Sequence, residues 1–188
     1  MQGQVDVNNI ELREKVVLPD GAVLTQISFE EYVSRLAKEN NISIQEAYRL
    51  EPNMNLASDD ITYWNYSKEF TYRDNKNFSA ELEATIKLYN RGSFREIKDV
   101  MGVGSRIASG RYKHSWIQTR AWSDPKEGSS KFPTTSVTLG ASGYFEARVS
   151  MGGGLGMDIP GFSFQGDIHG ESIYYSNTMN MEGTYRVY

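Results

Sequence analysis

Glu81-Leu82-Glu83-Ala84-Thr85-Ile86-Lys87-Leu88 alternates without a break: Leu82, Ala84, Ile86 and Leu88 share one parity, and Glu81, Glu83, Thr85 and Lys87 the other. Successive side chains of a β-strand point to opposite faces, so this stretch reads as a strand with one face buried. The same period runs outward from it. On the N-terminal side it places Thr62, Trp64, Tyr66, Phe70 and Tyr72 on one parity. On the C-terminal side it recurs over residues 112–122, in Val137, Leu139, Ala141, Phe145, Ala147 and Val149, and in Phe162, Phe164 and Ile168. It closes with Ile173, Tyr175, Met179, Met181, Tyr185 and Val187. Six strands are predicted, with a seventh near residues 94–100, while the glycines of 100–110 weaken any regular assignment there. Turn-forming clusters separate the strands: Asp74-Asn75-Lys76-Asn77, Asn90-Arg91-Gly92, residues 123–130, residues 152–156 and Pro160-Gly161. No helical run long enough for parallel crossovers interrupts them, so the expected fold is mainly β, an antiparallel β-sandwich or barrel-like domain over residues 61–188.

Residues 1–60 read differently, as an N-terminal arm and a helical hairpin. Val16-Val17-Leu18 and Ala22-Val23-Leu24 flank the turn tripeptide Pro19-Asp20-Gly21 and suggest a short hairpin or ordered arm. Ser28 followed by Glu31 forms a capping box ahead of Phe29, Tyr32, Val33, Leu36 and Ala37 at helical spacing. A second box, Ser43 with Glu46, precedes Ala47, Tyr48 and Leu50, and Pro52 marks the end of that helix. The polar stretch 53–60 is the expected boundary.

The stretch Ser34-Arg35-Leu36-Ala37-Lys38-Glu39-Asn40-Asn41-Ile42-Ser43-Ile44-Gln45-Glu46-Ala47, with Pro52-Asn53 trailing it, resembles the helical half of LysM peptidoglycan-binding modules, although the Gly-Asp-Thr-Leu opening of that family is missing. It also resembles a helix-turn-helix. Lys38 and Arg49 are too few cations for that role, and Glu39, Glu46 and Glu51 oppose phosphate contact, so a hairpin that packs on the β domain is expected.

The 188 residues hold 24 acidic and 20 basic side chains, a net charge of −4 spread without a basic stripe, which argues against nucleic acid as a partner. The absence of cysteine excludes disulfides and thiolate chemistry and fits either a reducing cytoplasm or a thiol-free secreted protein. No run approaches the roughly 20 apolar residues of a membrane-spanning helix. The polar opening Met1-Gln2-Gly3-Gln4-Val5-Asp6, with the abundance of Tyr, Asn, Ser, Thr and Gly, leads to the expectation of an extracellular or cell-surface protein, its signal peptide absent from these residues.

Chemistry is thinly signposted. Asp167-Ile168-His169-Gly170-Glu171 would present carboxylate, imidazole and carboxylate on one strand face, a candidate metal site of Asp167, His169 and Glu171 that competes with a plain solvated face. His114 shares strand parity with Tyr112, Trp116 and Trp122 and reads as a packed histidine. Gly104-Ser105 and Gly128-Ser129-Ser130 lack the second glycine of a nucleophile elbow, and the glycine clusters at 102–104 and 152–156 lack a Gly-Lys-Ser/Thr ending. Aromatic faces offer more: Trp116, Trp122, Tyr144 and Tyr174 are the candidate ligand-binding residues, with Tyr144 and Tyr174 expected at the surface because they oppose the apolar parity of their strands. The expected function is therefore a secreted bacterial β-sandwich with a non-catalytic binding or structural role, its partner a cell-wall glycan or a protein, with no cofactor. Two alternatives stand beside it. Residues 136–151 alternate as membrane-inserting hairpins do, and Asp167, His169 and Glu171 would suit a metal-dependent hydrolase.

Overall fold

The computed structural model describes residues 14–51, 60–126, 131–150 and 157–187. Pro52 and all of the 53–60 boundary except Asp60, the loop serines at 129–130, the glycine cluster at 152–156 and the first 13 residues lie outside the described residues. Among the described residues ten strands and two helices follow in the order β1 (Lys15–Val17), β2 (Val23–Ile27), α1 (Phe29–Asn40), α2 (Ile44–Leu50), β3 (Ile61–Thr71), β4 (Ser79–Arg91) and β5 (Phe94–Ser109). The chain continues through β6 (Lys113–Lys126), β7 (Ser136–Ser150), β8 (Phe162–Ile168), β9 (Glu171–Ser176) and β10 (Met179–Arg186).

All pairing is antiparallel, in two sheets that face each other as a sandwich rather than a closed barrel. Sheet A has the order β1-β2-β3-β4-β5. Sheet B is built on β7, which pairs with β6 along one edge and with β10 and then β9 along the other, while β8 lies outside β9. The alternation that defines β4 points Leu82, Ala84, Ile86 and Leu88 into the core, where they meet Val137, Leu139, Ala141, Phe145 and Ala147 of β7 and Met181 and Tyr185 of β10. Burying each large apolar side chain contributes about 1.5–3 kcal/mol, so this shared layer is what holds the sheets together. β5 extends through the segment whose glycines obscured it: Gly102, at φ 60°, sits where β5 slips against β4 between Glu83 and Thr85, a β-bulge.

Both serines cap their helices as the sequence expects. Ser28 Oγ accepts the Glu31 N–H and Ser43 Oγ the Glu46 N–H, each at 3.1 Å, and Asn41 ends α1 in the left-handed region at φ 52°. The two helices connect β2 to β3, which pair directly from Val23↔Ser67 to Ile27↔Tyr63. The helices lie on the outer face of sheet A. There Tyr32, Val33, Ala37 and Ala47 form a second core with Ile27 and Tyr63, and the Tyr32 and Tyr63 rings stand 4.2 Å apart. Arg35 of α1 reaches across two strands, donating to Asn65 Oδ1 at 2.6 Å and Thr85 Oγ1 at 3.0 Å. Sheet A is thus covered on both faces.

Between the sheets, Tyr66 of β3 is fully buried and its hydroxyl has no hydrogen-bond partner. It points at Gly183 of β10, where an added Cβ would lie 2.0 Å from the oxygen. Gly183→Ala is expected to destabilise the protein by about 1–3 kcal/mol, and Tyr66→Phe to be neutral or stabilising because an unsatisfied hydroxyl is removed. Chemical denaturation of the double variant checks the contact: Tyr66→Phe should recover part of the Gly183→Ala loss, and strictly additive effects would contradict it.

Candidate functional site

Three one-residue irregularities decide which side chains reach which face of sheet B. In β6 the register slips between Gln118 and Arg120, so Trp116 pairs with Phe145 and faces inward whereas Trp122 pairs with Gly140 and faces outward. The shared parity expected from the sequence is broken there. Trp116 packs edge-on against Phe145 at 4.8 Å, covers Gly143, and donates its indole N–H to Ser105 Oγ at 2.9 Å. Trp122 lies over Gly140 with the Arg120 guanidinium 4.8 Å from its ring. His114 keeps the inward parity of Trp116; it meets Phe78 edge-on and its Nδ1 lies 2.7 Å from the Tyr112 carbonyl oxygen, as a packed histidine should.

The second irregularity separates β9 from β10. Tyr175 pairs with Glu146 and Met179 with Gly143, which leaves residues 176–178 opposite only 144 and 145. Ser176 fills the break, its hydroxyl accepting the Phe145 N–H at 2.9 Å and donating to the Asn177 carbonyl at 2.8 Å. This extra residue reverses the parity of β9. Tyr174, expected at the surface, is buried at 6% exposure, while Tyr175 turns outward and meets the Tyr144 ring at 5.1 Å, tilted by 52°.

The third lies in β8. Phe164 pairs with Tyr174, then the register slips at Gln165 and Gly166, the latter at φ 143°, a conformation that favours glycine. Without the slip Asp167 would face away from the aromatic side. With it, Asp167 pairs with Ser172 on the side of Phe164 and Tyr174, and Ile168 is carried to the opposite, exposed face.

The Asp167, His169 and Glu171 grouping does not survive this geometry. The strand ends at Ile168, and His169 and Gly170, at φ 49° and 80°, make the two-residue turn that joins β8 to β9. Glu171 binds Lys113 Nζ at 3.0 Å and lies 3.7 Å from an Arg148 nitrogen. The Lys113 hydrogen bond, together with the charges of Lys113 and Arg148, holds its carboxyl below the usual carboxylate range. Among the described residues no group of three or more His, Asp or Glu side chains is placed to hold a metal ion.

What the irregularities build instead is a cleft of about 540 Å³ beside β8, within the size range of small-molecule sites. Phe164, 56% exposed, meets the Tyr174 ring edge-on at 5.6 Å across it. Ile159, Phe162 and Met157, all packed on the core between the sheets, line it with Asp158. Asp167 accepts the Ser172 hydroxyl at 2.7 Å, which leaves most of its lone pairs unused. Asp158 and the Tyr174 hydroxyl make no hydrogen bond with any described residue. The cleft therefore brings together one residue from the aromatic candidates, Tyr174, and one from the acidic candidates, Asp167. Alternation alone places Phe164 on the apolar face of its strand, and Asp158 carries no sequence signal of its own.

Lys113→Met is expected to raise the Glu171 carboxyl toward its ordinary pKa, measurable by NMR titration of the side-chain carbon. An unchanged titration would mean that the ion pair is not what sets it.

Compared with known protein families, curated proteins and solved structures, the chain matches none.

Proposed function

We propose that the protein is a secreted bacterial β-sandwich that binds a cell-surface glycan without transforming it, and that the cleft beside β8 is where it does so. The observation that carries this reading is the exposed Phe164 ring standing beside Tyr174 over hydrogen-bonding groups that the fold itself does not use. An aromatic face takes the apolar face of a sugar ring, and carboxylate and hydroxyl groups at its rim accept sugar hydroxyls. An apolar core residue would not be left more than half exposed without cost; a binding platform is.

The non-catalytic part of the proposal rests on the surroundings of the cleft. Asp158 and Asp167 are both exposed, and no histidine, lysine or arginine is among the described residues that line it. Extracellular placement accords with the cysteine-free, hydroxyl-rich composition.

The membrane-active alternative has to contend with the position of residues 136–150. They form β7, paired along both edges, with Val137, Leu139, Ala141, Phe145 and Ala147 fully buried. Releasing this strand would dismantle sheet B and the layer it shares with sheet A.

A pull-down of the purified protein on insoluble cell wall, glycans and liposomes tests the proposal. Retention on wall or glycan is expected, and Phe164→Ala should weaken it by about five- to tenfold, the worth of one aromatic contact. Phe94→Ala removes an equally exposed ring of β5, away from the cleft, and should change nothing. Retention on liposomes alone, or equal losses in the two variants, would overturn it.

A further inference from the structure

We infer that the protein has a second binding site, at the other end of β4 from the aromatic cleft, for an amphiphile with an apolar chain and a carboxylate head. The inference goes beyond the glycan reading and does not depend on it.

β4 runs from Ser79, next to the Phe78–Phe162 contact of the aromatic cleft, to Arg91. Along it the inward face of sheet A is apolar, through Leu82, Ala84, Ile86 and Leu88, with Leu24, Trp64 and Tyr66 beside them. Near Arg91 the same face turns polar. Asn90 follows Leu88 on the inward parity and pairs with Arg95, which stands two residues before the fully buried Ile97. Thr62 pairs with Leu88, and Gln26 with Trp64. These polar side chains surround a cleft of about 430 Å³, floored by Leu24, Trp64 and Leu88 of sheet A and walled by Tyr185 and Val187 from the β10 side. That is the size and the apolar lining of a small-molecule site.

The hydrogen-bond inventory gives the head group. Thr62 Oγ1 accepts the Trp64 indole N–H at 2.9 Å and the Asn90 amide at 3.1 Å. Both acceptor positions are thereby used, and the Thr62 O–H is left as a donor with no acceptor among the described residues. Tyr185, whose side chain is buried, makes no hydrogen bond with a described residue, and the Arg95 guanidinium acts on its hydroxyl. Burial pushes this phenol up to about 12 against the opposing Arg95 charge, so at neutral pH it too is an O–H donor. Arg95 itself has no ion pair among the described residues. Lys15 and Arg91 also lack one, but they stand on outward strand positions, whereas Arg95 faces the cleft. Glu14, the one acid on the described lining, pairs with neither Arg95 nor Tyr185. A carboxylate supplies the acceptors and the charge that these donors lack, and the floor takes the chain attached to it.

The test is calorimetric titration of the full chain with octanoate, octanol and acetate, which separate chain and charge. Octanoate is expected to bind, octanol more weakly, and acetate not measurably. Arg95→Gln should weaken octanoate by about three- to tenfold and leave octanol unaltered, and Tyr185→Phe should weaken octanoate by about two- to fivefold. Both changes are conservative for the fold, because Arg95 is exposed and the Tyr185 ring is kept. Arg120→Gln removes the guanidinium over Trp122, on the outer face of sheet B, and should change neither ligand. Equal affinity for octanoate and octanol, or equal losses in Arg95→Gln and Arg120→Gln, would overturn the carboxylate head. No binding of octanoate would overturn the site.

Discussion

The structure depends on the pairing of β7. This one strand is bonded to β6 along nearly its whole length on one edge, and to β10 and β9 in succession on the other, so it sets the register of every strand in sheet B except β8, which inherits its register through β9. Its inward residues also supply the half of the core that meets β4. A strand in this position admits little choice. A slip of one residue would send Val137, Leu139 and Phe145 to solvent, and the two glycines on which Trp122 and Trp116 rest, Gly140 and Gly143, would no longer lie beneath the rings.

Against so fixed a strand, an extra residue in any neighbour shows as a local reversal of faces. That explains which parts of the fold were legible in the sequence. β4 and β7 are read correctly because each alternates through its inward run, and α1 and α2 because their capping boxes state where they begin. The outer face of sheet A was not legible as buried, since Tyr63 sits among polar residues on the parity opposite Tyr66; only the helices packing over it reveal the second core. Trp122 and Tyr174 depart from the face that simple alternation gives them, and Asp167, solvent-exposed as alternation expects, shares the side of Phe164, each because an extra residue precedes or follows it in its strand. Gly166 marks the slip in β8 and Asn177, of a residue type depleted from strands, the break between β9 and β10, whereas the slip beside Gln118 leaves no comparable mark because Thr119 is an ordinary strand former.

The bulge in β8 has a consequence beyond bookkeeping of faces. An unbroken β8 would place Asp167 with Ser163 and Gln165 on a polar face, and the aromatic side of the hairpin would carry no charge at all. Adding one residue moves a carboxylate to the aromatic side and expels Ile168 from it. The exchange costs apolar burial, since Ile168 becomes 53% exposed, and places a charged group beside Phe164. Core packing gains nothing from that exchange, in which Ile168 is exposed and a carboxylate is set beside an aromatic ring.

Whether such a cleft binds well depends on how much of it is already ordered. Its inner end is fixed to sheet A by Tyr72, whose hydroxyl donates to the Gly161 carbonyl at 2.8 Å and accepts the Asn177 N–H at 3.2 Å, so it fastens both the entry to β8 and the exit from β9. Asn75 adds a hydrogen bond to the Pro160 carbonyl, and Phe162 wedges its ring between Tyr72 and Phe78, at 6.0 and 4.7 Å. Gly161 permits this closeness: at φ 79° an added Cβ would lie 2.6 Å from Asp74 and 2.9 Å from the Tyr72 ring. The ring wall made by Phe162 and Tyr174 is therefore positioned by the fold before any ligand arrives, and the ordering cost left to binding falls on Phe164 and the two carboxylates at the rim.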